Sequence, residues 1–186
     1  MYKYETHLHT APVSRCARSS VRESLEFYAS LGYAGVFITN HFVGGNINIE
    51  SDASWEEKMN FFFTDYEEAK KLEKEVGISV FLGAEWSYQG SDFLVYGLDK
   101  AWYLAHPDLS GIKFSERLQL AIDEGALVIH AHPFREQHYI DHIRLFPRRV
   151  HGVEHNSSRP DFENARAKEY AKATVLFNLQ ARIAIP

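Results

Sequence analysis

The chain has 186 residues, enough for one well-buried domain and too few for two, with a formal net charge of -5 and a pI near 6.0. That balance lacks the basic field with which a dedicated duplex-DNA binder neutralises phosphates, so nucleic acid enters only as a substrate. No apolar run is long enough to span a bilayer, the start MYKYETHLHT is unlike a secretory signal, and the single cysteine, Cys16, permits no internal disulfide, so a soluble cytoplasmic protein is expected.

From Tyr4 a short strand runs into His7-Leu8-His9. On a strand the i and i+2 side chains share a face, so His7 and His9 can hold one ion together. Taken alone, the pair reads as two partly exposed edge histidines. Cys16 follows, with Arg15 and Arg18 able to stabilise a thiolate, and is the candidate for a nucleophilic route. Ser20 to Glu23 has capping-box spacing, Val21, Leu25 and Tyr28 share a helical face, and Gly32 closes the helix. The strand AGVFITNH then ends at His41. Ser54 to Glu57 opens a second helix, which stops at Gly77 before ISVFLGAEW. There Glu85 ends a buried strand, where a carboxylate must be paired, protonated or bound to a metal. A salt bridge to a neighbouring helix is the alternative.

Leu118 and Ile122 mark the buried face of a third helix, which Gly125 ends before ALVIHAHPF. His130 and His132 repeat the i, i+2 spacing, and Pro133 breaks the strand. Arg135 stands just beyond, suited to grip phosphate oxygens bidentately or to pair with an acidic neighbour such as Glu136. The last apolar run, GVEHN, puts Glu154 and Asn156 on one face and His155 on the other. His106, His138, His142 and His151 have no partner at ligand spacing and are expected to be structural or solvated.

Strands alternating with helices imply parallel strands joined by right-handed crossovers, and hence an α/β fold. Near-continuous apolar runs such as VFIT and ISVFL indicate strands covered on both faces. His7, His9, His41, Glu85, His130, His132, Glu154 and Asn156 all fall at the C-terminal ends of these runs. In a barrel such ends converge on one mouth, which favours a barrel-like arrangement over an open sheet.

In this order HLH, ITNH, GAEW, HAHPFR and GVEHN resemble the PHP family, named for polymerase and histidinol phosphatase, over roughly Tyr4 to Lys172. The resemblance implies a distorted TIM-like barrel of about seven strands and two or three divalent ions of Zn, Mn or Fe. It also implies hydrolysis of phosphomonoesters or of nucleotide and oligonucleotide phosphodiesters by a metal-activated water. His7 and His9 match the first motif, His41 the second, Glu85 the third, as a bridging ligand, and His132 the fourth. Glu85 and Arg135 would be catalytic, Arg135 and Asn156 would bind substrate, and Cys16, His130 and Glu154 are further candidates. The substrate would be a small phosphorylated molecule or a short nucleic acid.

The chain departs from the family pattern in four places. Asn40 stands where an Asp usually precedes the second-motif His. Arg15, with Cys16 beside it as a softer substitute, stands where an acidic or His ligand is often found. Leu94 stands in place of a histidine, with Asp92 close by, and the terminal Asp-x-His is absent from VLFNLQARIAIP. Regrouping the codons of residues 173–186 one base upstream permits Gly-Ser-Asp-(Ser or Cys)-His, so this segment is read as a frameshift product following a domain of residues 1–172. Loss of the final strand is then expected, with an open barrel edge through which a homo-oligomer would form. The alternative to an active phosphoesterase is a catalytically impaired metal-binding or regulatory module.

Overall fold

The computed structural model describes residues 2–181. Seven strands form one sheet in chain order, β1 (Tyr4–Leu8), β2 (Gly35–Ile38), β3 (Ser79–Tyr88), β4 (Ser91–Tyr96), β5 (Leu127–Ala131), β6 (Gly152–Asn156) and β7 (Phe177–Ala181). Helix α1 (Val21–Ser30) joins β1 to β2, α2 (Trp55–Val76) joins β2 to β3, α3 (Lys100–Ala105) and α4 (Phe114–Asp123) lie between β4 and β5, and α5 (Asp161–Thr174) joins β6 to β7. Ser20 and Ser54 make the expected reciprocal capping boxes with Glu23 and Glu57. Gly77 takes the left-handed conformation that ends α2 (φ 78°).

The sheet curls into a nearly closed barrel whose seam lies between β7 and β1. These two strands approach each other without joining in the hydrogen-bonded order. Leu94, Tyr96, Ile129 and Ala131, with Phe37 and Leu179, form one small apolar cluster, and the Tyr96 hydroxyl donates to the Thr6 carbonyl of β1 (2.7 Å). A larger core gathers Phe42 from the loop after β2 with Phe62, Phe63, Trp86, Phe93, Tyr103 and Phe114 from β3, β4 and the helices packed on them. Helices α1 and α2 cover β1 to β3 through Leu25, Tyr28, Ala69, Val36 and Val80. Among the described residues, no helix is long and apolar enough to cross a membrane.

Two expectations are corrected. The strands are not all parallel, for β4 runs antiparallel to both β3 and β5. The connection from β3 to β4 is the two-residue turn Gln89–Gly90, both at positive φ (48° and 85°), which is the geometry a tight hairpin demands. The second correction concerns the final strand expected to be lost. Phe177–Ala181 pairs in parallel with Gly152–Asn156 as a seventh strand, so the opening is a seam between two formed strands. Residues 182–186, to which the regrouped Asp-x-His belongs, lie outside the described residues.

Candidate metal centre

The mouth of the barrel is built from the C-terminal end of β1, the residues after β2, the β3–β4 hairpin, and the loops after β5 and β6. His7 is the penultimate residue of β1 and is fully buried, and His9 lies just past the strand end. His41 follows β2 and is tied to β3 by an isolated parallel bridge to Glu85. Glu85 is the hub. Its carboxylate oxygens lie 3.2 Å from His7 Nε2, 3.2 Å from His9 Nε2, 2.9 Å from His41 Nδ1 and 3.6 Å from His132 Nε2.

The rings are held from behind. His7 Nδ1 lies 2.8 Å from Glu154 Oε1, and His9 Nδ1 lies 3.2 Å from Ser14 Oγ. Ser14 Oγ donates to Asn40 Oδ1 (2.9 Å) and accepts from the His41 N–H (3.0 Å). With that hydroxyl proton committed, the hydrogen-bond pattern assigns the Nδ1 proton to both His7 and His9. Their Nε2 lone pairs then point at each other across 2.9 Å and at Glu85. Only a shared proton or a cation satisfies such an arrangement in a buried site. This is the fit expected of imidazole ligands oriented by carboxylate and hydroxyl partners around a divalent ion. Three groups of donors come close enough for an ion: His7, His9 and Glu85; Glu85, Asp92 and His132; and His9, Cys16 and His41.

The electrostatics agree. Burial opposes a negative charge on Glu85, but His41, His7 and His9 outweigh it and hold the carboxyl well below its usual range. Burial likewise opposes a charge on His7, and Glu154 and Glu85 override it, keeping the ring well above the imidazole range. His41 is raised to about 10 against its burial by Glu85 and Cys16, whereas burial lowers His9 to about 4. Rings this close cannot all be charged, so the proton is unevenly shared around one carboxylate.

The structure thus brings together His7, His9, His41, Glu85, His132 and Cys16. Glu154 also reaches the cluster, one layer out: it holds His7 and accepts from the His132 N–H (3.2 Å). His130 does not reach it. His132 lies beyond the end of β5 at φ 29°, so the i, i+2 alternation fails there. His130 faces outward, stacked on Phe93 (4.5 Å between centroids), and burial depresses it to about 3. Asn156 is not at the cleft either. Its Oδ1 accepts from the Ser158 N–H and hydroxyl, closing the turn after β6. Arg135 lines the cleft but is paired with Asp92 (2.9 Å) and the Gly90 carbonyl (3.1 Å), and not with Glu136, which binds Arg166. Arg22, six residues after Cys16, is engaged with Glu75 and Glu26 on the surface. It does not face Cys16 as a cysteine-phosphatase loop requires.

Sequence reasoning missed two contributors and noted a third, Asp92, only as lying close to Leu94. Asp92 had a readable signal, since it alternates with Leu94 and Tyr96 on β4. Asp65 interrupts the apolar stripe of α2, and its Oδ2 accepts from Thr10 Oγ1 (2.7 Å) and Asn40 Nδ2 (3.0 Å). The carboxylate missing at Asn40 therefore stands one residue behind it. Arg159, half-buried beside Arg135, is the other: it lines the cleft with no ion pair among the described residues, and only folding shows that. The cleft, of about 480 Å³, is also walled by Arg18 and Tyr139.

No protein-family model matches the chain, and no curated protein matches its sequence. Its fold does match solved structures. One is a two-domain Bacteroides vulgatus protein containing a predicted PHP-like metal-dependent phosphoesterase, with TM-score 0.71 and 15% identity over 98% of this chain and 52% of that one. A second, from Bifidobacterium adolescentis and assigned to the metal-dependent phosphoesterases, has TM-score 0.64 and 14% identity over 97% and 86%. The third is PsfC from Pseudomonas syringae, with TM-score 0.59 and 14% identity over 98% and 76%. The chain spans about half the length of the first of these. At such identities the likeness establishes a PHP-like fold.

Proposed function

We propose that this chain is a metal-dependent hydrolase of phosphate esters. The observation that carries the reading is Glu85, a buried carboxylate within 3.6 Å of four imidazole nitrogens. Its likeness in fold to structures named as metal-dependent phosphoesterases supports it. His7, His9, His41, His132, Glu85 and Asp92 would hold two or three divalent ions. Bound there, such ions supply Lewis acidity and an acidified water.

The chain's own residues do the rest. Glu154 and Ser14 fix the tautomers of His7 and His9, so that their Nε2 lone pairs are presented without a reorganisation cost. Arg159 and Arg18 bring positive charge to the cleft without an ion pair of their own among the described residues, and Arg135 adds a guanidinium braced by Asp92. A phosphoryl group, with its dispersed negative charge, is the ligand this wall suits. Tyr139 offers a ring beside them, against which the alcohol part of a substrate would pack.

The test is a panel of phosphomonoesters and phosphodiesters assayed with Mn or Zn, using the chain and its Glu85→Gln variant. Turnover is expected with added metal and should fall by roughly a thousandfold or more in the variant, the scale of losing an electrostatic element of the transition state. Equal rates in the two proteins would refute the assignment. Stoichiometric metal with no turnover on any ester would favour the regulatory module instead.

A further inference from the structure

The loop between β1 and α1 folds back over the mouth and sets Cys16 beside the two imidazoles on the outer side of the cluster. Sγ of Cys16 and one ring nitrogen each of His9 and His41 lie within 4.8 Å of one another. That is close to the reach of two metal–ligand bonds end to end, roughly 4.4 Å. Backbone bonds pin the loop on both sides of the cysteine. The Arg15 N–H donates to the Asn46 carbonyl (3.0 Å), the Ala17 N–H to Ser14 (3.1 Å), and the Ala11 N–H to Ser19 (2.9 Å). The sulfur is therefore placed by the fold, even though Cys16 itself is exposed and in no disulfide.

A second observation points to a ligand at the same spot. His41 Nδ1 lies 2.9 Å from the buried Glu85 Oε2, and the Cys16 thiol is a further hydrogen-bond partner of the same ring. Donor atoms crowded together in a solvent-shielded pocket are satisfied only by a shared proton or a cation. His9 Nε2 lies 3.2 Å from that same oxygen.

We propose that Cys16 binds as a thiolate and, with His9 and His41, forms a nitrogen–nitrogen–sulfur ligand set that draws zinc rather than manganese to the outer position. This rests on the metal-centre reading above and deepens it by naming a ligand and the metal. Binding releases the thiol proton to solvent and involves no change of oxidation state. A soft thiolate with two imidazoles suits zinc, whereas manganese keeps to oxygen-rich sites. The donor set thus separates two positions. With the His9 Nε2 lone pair given to the outer ion, the inner position is left to His7 and Glu85, which offer only nitrogen and oxygen.

Cobalt(II) titration of the chelator-treated full chain tests the proposal by absorption spectroscopy. Wild type should develop visible d–d bands and, with them, an intense near-ultraviolet sulfur-to-cobalt charge-transfer band. Cys16→Ser and Cys16→Asp should keep the visible bands and lose the near-ultraviolet one. In zinc–manganese competition, Cys16→Asp should shift the preference toward manganese by roughly tenfold or more. Visible bands without charge transfer in wild type would overturn the ligation by Cys16 while leaving the metal centre standing. An absence of any cobalt spectrum would remove both.

Discussion

Glu5 lies two residues before His7, and its carboxyl is buried, with Oε1 accepting from the His7 N–H (2.9 Å) and the Tyr28 side chain as a further hydrogen-bond partner. Burial is the largest influence on it and raises it from 4.5 to about 7, against both hydrogen bonds. A carboxyl raised on folding contributes stability that is fully present below its unfolded value and is lost as pH rises through the folded one. Between about pH 4.5 and 7 the chelator-treated protein should therefore lose stability from this group, on the order of 3 kcal/mol. Glu5→Gln should flatten that slope and exceed wild type in stability above pH 7, as read from urea midpoints at pH 5 and pH 8. An identical pH slope in both proteins would show that Glu5 is solvated. The same desolvation argument decides which site residues are legible beforehand. Glu85 is foreseeable because a carboxylate ending an apolar run needs a compensating partner, and four imidazoles supply it. Asp65 escapes because it is far in sequence from the histidines it supports through Asn40 and Ser14.

The β3–β4 hairpin does more than reverse the chain. Gly90 in its turn holds φ 85°, its carbonyl accepts from Arg135, and a Cβ there would come 2.8 Å from Ile140 Cγ1 in the long loop after β5. Gly77, closing α2 at φ 78°, has nothing within 4 Å of the same position. The two glycines share the backbone cost of an alanine in the left-handed region, about 1–2 kcal/mol, but only Gly90 adds a clash, which costs roughly 1 kcal/mol more. Gly90→Ala should consequently destabilise more than Gly77→Ala in urea unfolding, and it alone should raise KM by loosening the loop that carries Arg135 and Tyr139. Equal penalties, with KM unchanged in both, would mean that the hairpin and loop are independent. Helices were legible at this scale because capping boxes and terminal glycines are local chemistry, as Ser20, Ser54 and Gly77 show. The antiparallel β4 is not legible, since Gln89–Gly90 is a short turn signal among other polar residues, Ser87, Ser91 and Asp92, and no helix-length gap marks a separate strand. His130 was misplaced because the period of two holds only while the strand lasts, and β5 ends at Ala131.

At the scale of the whole molecule, the barrel serves to converge strand ends on one carboxylate. β1, β2, β3, β4 and β5 each deliver a donor to the mouth, as His7, His41, Glu85, Asp92 and His132, while β6 contributes Glu154 from behind. The α/β class and the convergence were legible in the sequence because polar residues recur at the ends of apolar runs. The state of the seam was not, because pairing between the first and last strands depends on how far the sheet curls and not on any local pattern. All of the chemistry proposed above depends on cations gathered at Glu85. X-ray diffraction from crystals grown with zinc or manganese, collected at the absorption edge of each metal, tests that most directly. The account predicts anomalous peaks within bonding distance of Glu85 and of His7, His9, His41 or His132, with both carboxylate oxygens engaged. A cluster that stays free of anomalous signal at saturating metal, with Glu85 bonded only to protonated histidines, would contradict it.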